Sequence, residues 1–517
     1  MEDIRFVTDA RMRNLPRVVE DGRARSSRLV CMDRLTCPGG ALILFFLLFS
    51  SLCGCGSGVS KEMGTSTIPP HPGLSPIWVG SWGDSMTDAN ANADNGGGGD
   101  RTFRFLVTST IDGTEARVKF SNVYGSTPVT IGAARLGLGQ NGTPAVNSSQ
   151  NVSLSFNGGP STVLAAGSTV TSDPVAFSFG AGQVLAISVY LKGTFGPVSR
   201  HDSYFVTNYA TPNSAGDATA DTGGTGFTST LGDWLLVNEV DVYGPYQGTL
   251  AMFGSSTTDG FKSNYGDTAI YPAGNVPLSG QTKARVSDWM SRRLLGLGYR
   301  IGVINAGIPS DTIEQRVSSS PSATDRIAQD VLSLPNLLAI VTYFGSIDLR
   351  ACRYASGMEN ATEHVISLAH AANFPVIMAT LPPSAFCTNQ SSPNAGPVPN
   401  SSDPYAGGIN SGAPNGAEVQ RAAFNAWVRS TGASLPGVVA IADYDLALRD
   451  PQHISFMLPQ YNSGDNQHMN GNGYGAEAHA VPLGVLPPSL NPFWPQKFSF
   501  IAPRYFDSDR NLSVRSP

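Results

Sequence analysis

Charge is scarce in this sequence. Only 14% of its 517 residues are Asp, Glu, Lys or Arg, against roughly 25% in an average soluble chain. The 33 basic residues do not outnumber the 39 acidic ones, and the formal net charge is -6. That leaves no broad positive field to hold a phosphate backbone, so nucleic acid is not an expected partner. No apolar run reaches the roughly 20 residues a membrane-spanning helix needs. No Cys-x-x-Cys or His-x-x-x-His spacing marks a metal site, and no Gly-rich phosphate loop or dinucleotide fingerprint occurs. Neither a metal nor a cofactor is expected. Gly, by contrast, is abundant at 57 residues, accompanied by much Ser, Thr and Asn, the profile of a loop-rich exported protein.

Residues 1–55 read as a targeting segment. A basic stretch with Arg23, Arg25, Arg28 and Arg34 precedes the apolar run Ala41 to Cys53, whose length of about 13 residues suits a signal-peptide core. The run ends in Leu52-Cys53-Gly54-Cys55, similar to the bacterial lipobox, which makes Cys55 the expected lipidation site and places the chain on an exported, membrane-anchored lipoprotein. A plain secretory signal and an uncleaved anchor are the alternatives. Of the six cysteines, three leave with the signal and one is lipidated. Cys352 and Cys387 remain, and in an oxidising compartment such a pair is expected to form a disulfide.

Residues 56–75, rich in Gly, Ser, Thr and Pro, read as a flexible tether. Over 76–246, strand-like runs recur between turn signals: Thr102 to Ser109, Ala116 to Ser121, Val184 to Leu191, Tyr204 to Tyr209 and Leu235 to Tyr243. Short strands without helices predict an all-β sandwich or jelly roll. Over 247–485 the pattern alternates. Leu250 to Phe253, Ile301 to Asn305, Leu338 to Phe344 and Pro375 to Thr380 are short apolar runs suited to a parallel sheet covered on both faces. Helices are predicted with Val286, Trp289, Met290, Leu294 and Leu297 on one face, over Asn360 to Ala372 and over Ala417 to Thr431. This is an α/β fold of three layers, whose ligands gather at the carboxyl ends of the strands. The stretch Pro382 to Asn415 reads as a loop at the mouth of the site, and 486–517 as a Pro- and aromatic-rich tail.

Two segments carry candidate chemistry. Phe253-Gly254-Ser255-Ser256-Thr257-Thr258-Asp259-Gly260 follows the first α/β strand. A serine on a tight strand-to-helix turn projects its oxygen above the sheet edge, beside backbone N–H groups able to stabilise an oxyanion. Gly464-Asp465-Asn466-Gln467-His468 precedes Asn470 and Gly473-Tyr474. An Asp three residues before a His can bond the imidazole within one loop, fixing its tautomer while the other nitrogen takes a proton from serine. Alone, the first segment is equally a turn of small residues and the second a loop histidine.

Together and in this order they resemble the SGNH or GDSL-type hydrolases. Phe253 to Gly260 is similar to that family's Gly-Asp-Ser-x-x-x-Gly block, with Ser255 in place of Asp, and Asp465 to Tyr474 matches Asp-x-x-His-x-Asn-x-x-Gly-Tyr throughout. Asn305-Ala306-Gly307-Ile308-Pro309-Ser310 resembles the second block, and Gly345-Ser346-Ile347-Asp348 the third. The β-rich region, from Trp78-Val79-Gly80-Ser81-Trp82 through Phe120 to Gly125, looks like the N-terminal domain of a two-domain branch. The resemblance implies a flavodoxin-like catalytic domain with Ser256, His468 and Asp465 as its triad. It also implies an oxyanion hole from the N–H groups of Ser256 and Ser310. The third-block Asn, whose amide completes the hole in the family, is here Ile347, so a substitute donor is needed, and the adjacent Ser346 is a candidate. Trp82-Gly83-Asp84-Ser85 matches the first block better than the chosen segment does. It precedes a Gly-rich stretch and a strand instead of a helix, so Ser85 is expected to be an ordinary loop serine. His201, His364, His370, His453 and His479 are expected to do no chemistry.

The expected function is hydrolysis of a carboxylic ester, of a small molecule or a polysaccharide, through an acyl-serine, with deacetylation of a carbohydrate as the first candidate. The rival is a catalytically impaired surface lipoprotein that binds carbohydrate through the β region.

Overall fold

Alternating apolar residues in the first half pair into antiparallel ladders, one face of each turned inward. The computed structural model describes residues 73–89, 97–140, 142–202, 206–263, 284–316, 320–383 and 416–490. The signal segment with Cys55, nearly all of the tether, Cys387, most of the expected mouth loop and the tail beyond 490 lie outside these. The strands are β1 (Ile77–Gly83), β2 (Gly98–Thr108), β3 (Gly113–Ser121), β4 (Val129–Gly139), β5 (Val146–Ser153), β6 (Thr162–Leu164), β7 (Thr169–Thr171), β8 (Val175–Phe179), β9 (Val184–Phe195), β10 (Arg200–His201), β11 (Asn208–Ala210), β12 (Ser229–Leu231), β13 (Trp234–Leu235) and β14 (Val237–Gly244). One sheet runs β1-β14-β3-β7, with β8 also on β3; a second runs β12-β11-β2-β9-β4-β5, with β6 on β4; β10 and β13 form a two-stranded third. Val79, Val118 and Phe120 of the first share a buried core with Phe103, Leu106, Leu136 and Ile187 of the second, as in a sandwich.

The second half adds β15 (Gly248–Gly254), α1 (Ser256–Asp259), α2 (Val286–Gly296), β16 (Ile301–Gly307), α3 (Ala323–Asp330), β17 (Leu337–Tyr343), α4 (Ser346–Arg350), α5 (Ala355–Ala371), β18 (Val376–Ala379), α6 (Gly416–Arg429), β19 (Val438–Ala442), α7 (Tyr444–Leu448) and α8 (Gly471–Ala480). The five strands are parallel in the order β16-β15-β17-β18-β19. Numbered within this half, that is 2-1-3-4-5, the flavodoxin-like order, whose topological switch point lies between the first and third strands. β15 and β16 are buried at every position, which is why they read as continuous apolar runs. On α2, Val286, Trp289, Met290 and Leu294 face the core as the 3.6 periodicity predicts. Helices pack in two groups, α2 and α7 against α8, and α3 and α6 against α5.

Each half has its own hydrophobic core, yet the described residues all fall in one compact unit, Gly64–Pro517. The architecture changes from antiparallel to parallel sheet between β14 and β15. β1 lies against β16, the edge strand of the parallel sheet. The approach is close enough that a Cβ on Gly302 would collide with the Gly80 carbonyl. Polar contacts fasten the seam: Gly80 N donates to Thr249 Oγ1 at 3.0 Å, Val303 N to Thr110 Oγ1 at 3.1 Å, and Arg300 pairs with Asp112 at 2.6 Å.

Candidate active site

Three adjacent strands deliver the candidate residues to one sheet edge. In the ladder Gly254 lies opposite both Gly307 of β16 and Tyr343 of β17. Ser256 follows two residues beyond Gly254, Ser310 three beyond Gly307 and Ser346 three beyond Tyr343, so all emerge at the carboxyl ends beside the switch point. Ser256 opens the single-turn helix α1, where its N–H has no intrahelical carbonyl to meet. The turn closes at Gly260, left-handed at φ 104°, whose N–H donates to the Ser256 carbonyl at 3.0 Å. The helix packs so tightly on β16 that a Cβ on Gly307 would strike the backbone of Asp259.

His468 and Asp465 arrive from the loop before α8. The Asn470 side chain caps that helix by accepting from the N–H groups of Asn472 and Gly473, at 3.0 and 3.1 Å. The indole of Trp289 donates to Gly471 O at 2.8 Å, fixing the start of α8 to α2. The Ser256 hydroxyl stands 3.0 Å from His468 Nε2, and His468 Nδ1 stands 2.7 Å from Asp465 Oδ2. Ser256 and His468 are 6% and 7% exposed. Asp465 Oδ1 accepts from the backbone N–H of Gln467 at 2.9 Å and of His468 at 2.8 Å, and from Ser463 Oγ at 3.1 Å. Burial pushes the Asp465 carboxyl up, but these bonds and the one from the imidazole outweigh it and hold it well below the usual carboxylate range. An ionised Asp465 accepts and so places a proton on Nδ1, leaving Nε2 as the acceptor for the serine proton. The ring of Phe261 meets that of His468 edge-on at 4.7 Å, and Tyr474 anchors the Phe261 carbonyl at 2.6 Å.

Ser310 adopts φ 62°. The left-handed backbone that a glycine would take freely is therefore kept by serine, at a cost of about 1 kcal/mol. Ser346 begins α4 after Gly345, is 5% exposed, and among the described residues its hydroxyl has no hydrogen-bond partner. Ile347, beside it, is half-buried. Cys352 is disulfide-bonded; Cys387, its expected partner, is outside the described residues.

His201 is fully buried, in an ion cluster between the two halves. Its Nδ1 donates to the Ser85 carbonyl at 2.6 Å, and its Nε2 faces Asp259 Oδ1 at 3.2 Å and Asp84 Oδ1 at 3.8 Å. Burial opposes charge on the ring, but the two carboxylates prevail and lift it to about 9. Ser85, for its part, is buried and its hydroxyl accepts from Arg326 at 3.3 Å. No imidazole reaches that hydroxyl among the described residues, since His201 bonds the Ser85 carbonyl instead. Asp84, His201 and Asp259 also bring three ligand atoms within 4.8 Å of one another. Arg285 already pairs with Asp84 Oδ2 at 3.2 Å, and a proton on Nε2 occupies the position a metal would take, so the group reads as an ion cluster. Sequence reasoning missed it because its members come from four separate segments. The only signal was the better first-block match around Ser85. His364 and His370 lie on α5, and His364 pairs at the surface with Glu314 at 3.3 Å. His479 bonds Gly475 O at 2.8 Å near the end of α8.

No protein-family model matches the chain, and no curated protein matches it. Among solved structures, a carbohydrate acetylesterase family member from Sinorhizobium meliloti is 16% identical, with a TM-score of 0.30 over 45% of this chain and 94% of that one. An aryl esterase from M. smegmatis is 13% identical, with a TM-score of 0.29 over 45% of this chain and 95% of that one. A GDSL-like lipase from Bacteroides thetaiotaomicron is 14% identical, with a TM-score of 0.28 over 46% of this chain and 87% of that one. Likeness at these scores carries no weight for the site, which stands on its own distances. The chain is thus similar, over somewhat less than half its length, to acylhydrolases, esterases and carbohydrate acetylesterases of the SGNH/GDSL kind.

Proposed function

We propose that the chain is an exported carboxylic ester hydrolase working through an acyl-Ser256 intermediate. The observation that carries this reading is the unbroken chain of contacts from Ser256 Oγ to His468 Nε2 at 3.0 Å and from His468 Nδ1 to Asp465 Oδ2 at 2.7 Å. These three groups meet across 212 residues of sequence, and a fold has no structural need for a serine–imidazole–carboxylate relay at its sheet edge.

In this reading Ser256 Oγ attacks the ester carbonyl while its proton passes to Nε2. The C–O bond to the alcohol breaks as His468 returns that proton to the leaving oxygen. Water, deprotonated by the same imidazole, then cleaves the acyl-serine and releases the acid. Asp465 holds the tautomer and stabilises the imidazolium. The N–H groups of Ser256 and Ser310 bind the oxyanion, and the unpartnered Ser346 hydroxyl replaces the amide that Ile347 lacks. Residues 247–485 form the catalytic domain, and 76–246 an accessory domain beside it. The first substrate class is an acyl group on a carbohydrate. Anchoring through a lipid on Cys55 completes the reading; among the described residues no helix is long and apolar enough to cross a membrane.

Ile347 favours a second reading, in which the chain binds carbohydrate at the cell surface and the hydrolase site is impaired. Hydrolysis of p-nitrophenyl acetate by wild type and Ser256→Ala separates the two. The esterase loses essentially all turnover in the variant; equal rates support the binding protein.

A further inference from the structure

Arg326, on α3, is completely buried, and its guanidinium is shared among five places. Nε and Nη2 both meet Asp311 Oδ2 at 2.7 Å. Nη2 also donates to the Gly254 carbonyl at 2.8 Å. Nη1 donates to the Ala306 carbonyl at 2.9 Å, to Asp330 Oδ2 at 3.2 Å and to the Ser85 hydroxyl at 3.3 Å. The flat face of the group covers the Phe253 ring at 4.5 Å. A buried guanidinium is expensive unless its donors are met, and here they are met by the side chains of Asp311, Asp330 and Ser85 and by two backbone carbonyls near the end of the nucleophile strand and its neighbour.

The partners are those that set the oxyanion donors. Gly254 ends β15, two residues before Ser256, and its carbonyl accepts from both Arg326 and Ile308 N, the latter at 3.1 Å. That pair of hydrogen bonds fixes the peptide plane from which the Ser256 turn departs. Asp311 directly follows Ser310, whose left-handed backbone needs an outside restraint to persist. Ala306 lies four residues before Ser310. One planar side chain thus holds both strand ends and the residue next to Ser310 in a single register, while Ser85 brings the β-rich half to the same point.

Resting on the esterase reading, we propose that Arg326 is a positioning residue for the oxyanion hole. It touches no substrate; it keeps the N–H groups of Ser256 and Ser310 converging on one position, and the Asp84-Ser85 turn of the β-rich half buttresses it. This gives that turn, which imitates a nucleophile block, a role in the reaction without chemistry of its own. Lysine keeps the charge but has no fork with which to reach Asp311, Gly254 and Ala306 together.

The test compares full-length wild type, Arg326→Lys, Asp311→Asn and the double variant. Burial lifts the Asp311 carboxyl to about 7, against the pull of Arg326, so assays run at pH 8, where it is ionised. Hydrolysis of p-nitrophenyl acetate is measured together with the rate at which a fluorophosphonate labels Ser256. In that labelling Oγ bonds to phosphorus, fluoride leaves and the proton goes to His468. Losing one oxyanion donor outright costs on the order of 100 to 1,000-fold, so a displaced pair is expected to lower kcat about 10 to 100-fold in Arg326→Lys. Labelling should slow in parallel, with KM within about threefold. Asp311→Asn should fall in the same direction, and the double variant should be no worse than Arg326→Lys, because both act through one contact. A folded Arg326→Lys with lower melting temperature but wild-type kcat and labelling would overturn the proposal; so would a loss confined to KM. If Arg326→Lys does not fold, Asp311→Asn decides: wild-type kcat overturns the proposal, and a selective fall in kcat upholds it. A wild type that neither turns over nor labels at Ser256 would overturn the esterase reading, and the positioning role with it.

Discussion

Replacing His201 with glutamine removes a buried cation that faces both Asp84 and Asp259. In the wild type the ring is enclosed by those carboxylates, by Arg285, which pairs with Asp84, and by the indole of Trp234 at 5.6 Å. Asp233, on a neighbouring segment, contributes at longer range. A rise from the ordinary 6.5 to about 9 corresponds to about 3 kcal/mol favouring the folded protein. The sign follows from the rise. Below pH 6.5 the ring is protonated in both folded and unfolded chains, and the contribution is complete. Between 6.5 and 9 the unfolded chain loses its proton first, and the contribution drains away until it is gone above 9. Asp84, which burial lifts to about 6, titrates below this window. Urea denaturation of wild type and His201→Gln at pH 6 and pH 10 measures the effect. The variant is expected to be less stable by about 3 kcal/mol at pH 6, with the gap closing to within about 1 kcal/mol at pH 10. A gap that stays constant across this range would refute the assignment of a buried imidazolium at the seam.

Other expectations concern the reaction itself. Asp465→Asn keeps the acceptor for the backbone N–H groups of Gln467 and His468 but offers an amide to the imidazole, so kcat of ester hydrolysis should fall about 10,000-fold with little change in fold by circular dichroism, as the same change does in serine proteases. Ile347→Asn places a side-chain amide where the resemblance expects one, and kcat should rise about 10-fold or more. Ser346→Ala should lower kcat about 10-fold in the wild-type background and much less alongside Ile347→Asn, read from the same steady-state assay, because the two donors serve one oxyanion.

The central parallel strands are legible because strands buried on both faces carry continuous apolar runs, as Leu250 to Phe253 of β15, Ile301 to Ile304 of β16 and Leu338 to Val341 of β17 do. β19 escaped notice: at the sheet edge Val438–Ala442 is only partly buried and follows no clear signal. α8 has a weak local signal for a different reason. Its sequence Gly-Asn-Gly-Tyr-Gly opposes helix formation, and the helix stands on the Asn470 cap and the contact with Trp289. β4, with three glycines among its eleven residues, reads as turn when the neighbouring strand is unknown. The triad could be read because its last two members lie three residues apart in one loop. His201 and Arg326 could not, since each is tied to Ser85, which lies 116 residues from the one and 241 from the other. A lone His or Arg in a sequence carries no mark of burial. Only the second candidate block at Gly83-Asp84-Ser85 hints that this segment is more than a loop, and its contacts are with His201, Arg285 and Arg326.

The most direct measurement is intact-protein and peptide mass spectrometry of the wild-type chain after exposure to a fluorophosphonate. A single phosphonyl adduct on the peptide containing Ser256, lost in Ser256→Ala and strongly slowed in His468→Ala, is the predicted result. Labelling that ignores both substitutions, or that falls on Ser85, would contradict a nucleophile at the end of β15.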